Sequence, residues 1–275
     1  MTVLVYGAAN PDIVHHVDRL PGPGDDIRSD RWFITWGGKA ANAAVALATW
    51  GIETRLTGLV AGLDPLGDAL AAALERPHLD LARLERASDE ATRHCLVLVD
   101  PRGDRTIVCA GYEGARWSAV STWEGIEIVL LDGFAGQAAA AVAAEARSRS
   151  VPVVWLDCPV ERTGLADWVV WSAHEHTVDE ARASGAGFTV LTAGAGEIVT
   201  FGAGEWRVAP PEVEVVDATG AGDVFAAACA RGLYLGWDPE RTVRWAAAAG
   251  AALAAHGRTG GLPPTAAIDP LSEIA

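Results

Sequence analysis

Apolar and polar positions along this chain follow two periods. Short runs rich in β-branched and aromatic residues, at Thr2 to Tyr6, Thr54 to Val60, Ile126 to Leu131, Val151 to Asp157, Trp168 to Trp171 and Phe188 to Thr192, predict buried strands. Longer stretches with helical spacing lie between and after them: Ala40 to Trp50, Leu66 to Arg76, Gln137 to Arg149, Glu175 to Ala183, Val224 to Leu235 and Pro239 to His256. This alternation predicts an α/β fold, a doubly wound and mostly parallel sheet covered by helices. In such sheets ligands sit at the carboxyl ends of the strands.

Two further pairs of strand-like runs interrupt the alternation. Ile13 to Asp18 and Ile27 to Thr35 are separated by Pro21-Gly22-Pro23-Gly24, and His94 to Asp100 and Arg105 to Ala110 flank the turn Pro101-Arg102-Gly103-Asp104. His15 and His16 are adjacent, face opposite ways in a strand, and make no metal site by themselves. No repeat or low-complexity linker appears, and 275 residues are enough for one large domain.

Composition narrows the class. Half the residues are hydrophobic and about a fifth are charged, as in a soluble globular protein. The longest apolar runs, such as Trp245 to Ala255, are short of a membrane span, and no charged-then-apolar leader opens the chain, so a cytoplasmic protein is expected. Cys95, Cys109, Cys158 and Cys229 are far apart without zinc-type spacing, and read as buried small hydrophobes in a reducing compartment. The formal charge, 21 − 36 = −15, argues against nucleic acid as a partner. A nucleotide stays compatible, because helix N-termini, a few basic side chains and a divalent metal can neutralise its phosphates locally.

Candidate chemistry concentrates in a few stretches. In Asp217-Ala218-Thr219-Gly220-Ala221-Gly222-Asp223, Gly220, Ala221 and Gly222 leave backbone N–H groups unobstructed at a helix start, where the dipole favours an anion. Asp223 either caps that helix or accepts the proton of an attacking hydroxyl. In Gly37-Gly38-Lys39-Ala40-Ala41-Asn42, the glycines allow close approach of a ligand, and Lys39 and Asn42 fall one helical turn apart. Lys39 is the only lysine in the chain. Asn10 and Asp12, two apart in an extended segment, aim an amide and a carboxylate to one side; an Asx turn is the competing reading. Thr192-Ala193-Gly194-Ala195-Gly196-Glu197 is a glycine-rich turn that precedes a strand-like run, and so a poor dinucleotide fingerprint.

The Gly37 to Asn42 and Asp217 to Asp223 motifs, in this order and separation, resemble the two signatures of the ribokinase-like (PfkB-type) carbohydrate kinase family, across nearly the whole chain. The resemblance implies one kinase domain over 1–275 with a small β lid built from segments near 12–36 and 94–111, the lid often forming a homodimer contact. It implies ATP-dependent phosphorylation of a sugar, with Asp223 as base and the 220–222 backbone as anion hole. Asn10, Asp12, Gly38, Lys39 and Asn42 would bind the acceptor, and Thr192, Gly194, Gly196, Asp217 and Thr219 would line the nucleotide. ATP and Mg²⁺ are the implied cofactors, with K⁺ as a further candidate near Arg258-Thr259-Gly260-Gly261. Ser172-Ala173-His174-Glu175 departs from the family's Asn-x-x-Glu, keeping Glu175 as an indirect Mg²⁺ ligand, and Ala218 stands where Thr is common. Asp26, His94, Tyr112, Asp132 and Phe134 are expected to choose the acceptor. A nucleoside kinase is the alternative, and a non-catalytic sugar or nucleotide sensor and a dinucleotide-dependent oxidoreductase are the readings from other classes.

Overall fold

The computed structural model describes residues 1–102, 105–202, 204–257 and 262–274. The chain runs β1 (Thr2–Gly7), β2 (Asn10–Val17), β3 (Ser29–Gly37), α1 (Lys39–Thr49), β4 (Thr54–Gly58), β5 (Ala61–Gly62), α2 (Pro65–Leu74), β6 (Leu79–Asp80), β7 (Arg86–Ala87), β8 (Cys95–Val99) and β9 (Arg105–Cys109). It continues through β10 (Ile126–Asp132), α3 (Gly136–Ser148), β11 (Val153–Leu156), β12 (Trp168–Ser172), α4 (Val178–Arg182), β13 (Phe188–Ala193), β14 (Gly196–Phe201), β15 (Glu205–Val208), α5 (Ala221–Tyr234), α6 (Pro239–His256) and α7 (Thr265–Ser272). Among the described residues no helix is long and apolar enough to cross a membrane.

The large sheet has the order β15-β14-β13-β12-β11-β10-β1-β4-β6, parallel except where β14 and β15 fold back at one end. Its strands alternate core faces. Val3 and Val5 of β1, with Leu130 of β10, join the layer under α1, α5 and α6, whereas Leu4, Tyr6 and Leu131 join the layer under α3. Burial on both faces explains why the sequence showed continuous apolar runs there. The chain leaves β1 towards β4 on one side and later returns to it through β10 on the other. That reversal opens a crevice at the carboxyl ends of β1 and β10.

The second sheet, ordered β3-β2-β8-β9, stands over that crevice. Its inner face, with Asp12, Val14, Phe33, Val97 and Ile107, lines the cleft also bordered by Asp217 and Thr219.

Several expectations are corrected here. Helix Glu175 to Ala183 begins later, at Val178, because Thr177 and Glu180 form a reciprocal capping box that pins the start. Glu175 therefore lies in the preceding turn and not in a helical first turn. The short strands β5 to β7 and the edge strand β15 have too few residues for a periodic signal, and α7 holds an internal Pro270 that masks its helical pattern. The cysteines are not four buried thiols. Cys95 and Cys109 are cross-strand partners of β8 and β9 joined in a disulfide, with Cys109 exposed, while Cys158 and Cys229 are free and buried. Sequence separation hid the pair because the hairpin closes it.

Candidate active site

The crevice is held open by one buried carboxylate. Asp132 ends β10 fully buried, and its Oδ2 accepts from the amides of Ala8 (2.6 Å) and Ala40 (3.2 Å) while Oδ1 accepts from Phe134 (3.0 Å) and Ala135 (3.3 Å). It thereby ties the exit of β1, the start of α1 and the turn after β10 to one point. Burial pushes its carboxyl up to about 6, although these amides and the Lys39 charge favour the ionised form. Asp132 is therefore no acceptor-choosing side chain, since every oxygen is spent on backbone. Asp26 is exposed on the β2–β3 loop and His94 contacts the Thr92 carbonyl; neither lines the cleft. Tyr112 and Phe134 do, with ring centroids 4.9 Å apart.

Around this frame the expected polar residues converge. Asn10 Nδ2 donates to Asp12 Oδ1 at 3.0 Å from the strand geometry foreseen, and Tyr112 donates its hydroxyl to Asn10 Oδ1 at 2.7 Å. Gly38, with φ 91°, starts α1 so close to β1 that an added Cβ would lie 2.4 Å from the Ala8 carbonyl oxygen. That approach sends Lys39 into the cleft, where its ammonium pairs with Asp157 and lies 4.7 Å from the Phe134 ring centre. Burial alone would lower the Lys39 ammonium, but Asp157, Asp223 and Glu175 together raise it.

Asp223 lies in the first turn of α5 and is 8% exposed. Gly220, left-handed at φ 83°, provides the sharp entry. Asp223 does not cap the helix: its Oδ2 accepts from Asn42 Nδ2 at 2.7 Å, bridging α5 to α1. Burial raises its carboxyl to about 7, reinforced by Asp157 and Asp132 and opposed by the Asn42 hydrogen bond and Lys39. Asn42 Oδ1 is buried without a hydrogen-bond partner among the described residues, so an acceptor is left over beside the carboxylate.

Two pockets meet at this turn. One brings together the polar side chains of Asn10, Asp12, Lys39, Asn42, Thr219 and Asp223, with Gly38 among them. The other, about 430 Å³, is apolar: Ile198, Ala247 and Ala251 form walls, and Thr192, Gly194, Ala221 and Gly222 line it too. Adjacent residues of one turn thus face different pockets. Gly196 opens β14 outside that lining, and Asp217 and Thr219 turn instead towards Arg105 of β9, which pairs with both. Burial would raise the Asp217 carboxyl, but the Thr219 amide and Arg105 hold it below its ordinary value. Glu175 is exposed in its turn. Among the described residues no cluster of three or more His, Cys, Asp or Glu could hold a metal on its own, and the Arg258 to Gly261 turn lies outside them.

The family model described as pfkB family carbohydrate kinase matches residues 2–161 and 160–266. The chain belongs to the pfkB family of carbohydrate kinases. It is 29% identical to the ribokinase of Bacillus subtilis over 95% of this chain and 96% of that one, and 28% identical to the ribokinase of Arabidopsis thaliana over 90% and 74%. The solved structure of Arabidopsis thaliana ribokinase complexed with ribose and ATP is 25% identical and superposes with a TM-score of 0.82 over 100% of this chain and 99% of that one. Membership makes the chain an ATP-dependent kinase with a ribokinase-type fold.

Sequence reasoning missed two members of this kinase's site. Asp157 directly follows β11 and holds Lys39, and a carboxylate just past the carboxyl end of a parallel strand was the available signal. Arg105 reaches Asp217 and Thr219 across 112 and 114 positions of chain, respectively, which no local pattern reports.

Proposed function

We propose that this kinase transfers the γ-phosphoryl group of ATP to a hydroxyl of a sugar or sugar derivative, with Asp223 as the base. The shared turn carries the proposal: Ala221 and Gly222 line the apolar pocket and Asp223, next in the chain, lines the polar one. A nucleotide whose base fills the alanine-walled pocket lays its phosphates on the first-turn amides of α5, which have no intrahelical acceptor, the Ala221 amide giving up its 3.1 Å bond to the Ala218 carbonyl to join them. An acceptor held by Asn10, Asp12, Gly38, Lys39 and Asn42 then presents a hydroxyl to Asp223. With Oδ2 fixed by Asn42, the other oxygen takes the proton, and a carboxyl near 7 suits a base at neutral pH. Thr192 and Gly194 flank the nucleotide, Gly196 closes the turn that carries them, and Asp217 with Thr219 shapes the loop that enters the anion hole. Phosphoryl transfer is mostly positioning and electrostatics, so these parts suffice.

Mg²⁺, when bound, neutralises phosphate charge, with Glu175 as the carboxylate that would hold it through water; Glu175 already acts on the Lys39 ammonium. K⁺ stays a candidate to be tested by cation exchange. The small sheet acts as a lid of a single domain. Its outer face, with Trp32 61% and Val108 60% exposed, is the surface we assign to a second copy of the chain, and light scattering should report a dimer that Trp32→Glu weakens. The cytoplasm, where ATP is available, is the expected place of action, and neither nucleic acid nor membrane is an expected partner.

The deciding experiment is coupled ADP release with Mg-ATP across ribose, fructose, other sugars, hexose phosphates and nucleosides, run beside Asp223→Asn. Sugar turnover lost in the variant supports the proposal. Turnover with nucleosides alone moves the acceptor class, and ATP binding without turnover on any acceptor favours a sensor.

A further inference from the structure

We propose that Cys95 and Cys109 form a reversible thiol–disulfide switch that sets affinity for the acceptor. The inference rests on the reading of the polar pocket as the acceptor site. Both sulfur-bearing residues line that pocket. Cys95 is 7% exposed, and its Sγ lies 3.7 Å from Asn10 Nδ2, the amide that bridges to Asp12. Its other ladder neighbour, on β2, is Asp12 itself. Cys109 is exposed and is reached by solutes through the open cleft.

The cross-link holds the least anchored part of the pocket wall. Among the described residues β9 is the edge of its sheet, paired only to β8, and most of its residues are exposed. Edge strands of this kind open at low free energy. The same short segment carries Arg105, which pairs with Asp217 and Thr219 at the anion-hole loop, and leads into Tyr112, which donates to Asn10. The disulfide therefore ties β8, the ladder neighbour of the acceptor-facing end of β2, to the edge strand that leads into the residue orienting Asn10. With the bond broken, β9 stays attached by its ladder to β8 and by the Arg105 contacts. In a compartment kept reducing by thiols, disulfides are mostly transient and redox-sensing, which fits a labile cross-link in a cleft.

The chemistry balances by exchange with a low-molecular-weight disulfide. The Cys109 thiolate attacks one sulfur of that disulfide and expels one thiolate. The Cys95 thiolate then attacks the Cys109 sulfur and expels the second. Two protein thiols lose their protons and are oxidised to one disulfide, and one small disulfide is reduced to two thiols. A dithiol reverses the sequence.

Full-length protein should be equilibrated with oxidised glutathione or with dithiothreitol, and its thiols counted by maleimide alkylation after denaturation. Of the four cysteines, two are expected to be alkylated in the oxidised sample and all four in the reduced one. The acceptor KM should rise roughly three- to tenfold on reduction, as the competent fraction of the pocket falls, and the ATP KM should rise less, because no residue of β8 or β9 lines the apolar pocket and only Arg105 reaches the anion-hole loop. Cys109→Ser should show the reduced-state KM under both conditions. Equal acceptor KM in samples with different thiol counts would overturn the switch, as would four free thiols after oxidation. If no acceptor turns over, the functional reading fails separately, and hydrogen exchange of the 105–109 amides decides the switch: faster exchange on reduction supports it, and equal exchange refutes it.

Discussion

The end of β10 and the first turn of α5 each bury an aspartate at the carboxyl edge of the large sheet, and they use it differently. Asp132 gives both oxygens to backbone amides from three segments of chain. Asp223 gives one oxygen to Asn42, and among the described residues its Oδ1 accepts no hydrogen bond. Burial raises both carboxyls, to about 6 and about 7. A raised pKa alone therefore does not separate a fastener from a reagent. The spare acceptor capacity at Asp223, facing a polar pocket, does.

Substitution of each aspartate by asparagine should split the two roles. The largest effect expected is on turnover: Asp223→Asn lowers kcat by roughly 10² to 10⁴ while ATP affinity, read by calorimetry, is retained. Next comes stability at the other site. Asp132→Asn turns an amide NH₂ towards backbone donors and should cost about 2 to 4 kcal/mol in urea unfolding. In the same assay Asp223→Asn should instead stabilise the fold by about 1 to 3 kcal/mol at pH 8, because it removes a buried charge. A shared sign for the two variants would erase the distinction drawn between them.

Acidity sharpens the contrast further. The Asp223 carboxyl rises from 3.8 to about 7 on folding, so between those values the native state binds more protons than the unfolded chain. Stability linked to Asp223 is then full below about pH 4 and is lost as pH rises through 7, and Asp132 adds a loss of the same sign up to about 6. Catalysis runs the other way, since the base must be ionised: kcat/KM should climb with pH to a plateau above about 7. Thermal melts of the wild type against Asp223→Asn across this range should show a flatter pH dependence in the variant.

Much of the site was legible because its parts are local. Asn10 and Asp12 share a side through strand alternation, and Gly38 to Asn42 and Gly220 to Asp223 each sit in one helical start, where spacing alone orients groups. The parts that escaped are long-range. Asp157 and Arg105 acquire partners 118 and 112 positions away, respectively, and the Cys95–Cys109 pair exists only once a hairpin closes.

By itself, then, the chain's pattern determined the alternation of strands and helices, the parallel sheet, and the two short motifs that carry the kinase signatures, since each depends on neighbours within a turn or a strand. Tertiary structure alone decided that these motifs meet at one turn, that Asp132 binds while Asp223 stays open, and that two cysteines face each other in the cleft. Burial and hydrogen-bond capacity depend on which distant segments pack together, and that is a property of the folded chain, not of any stretch of it.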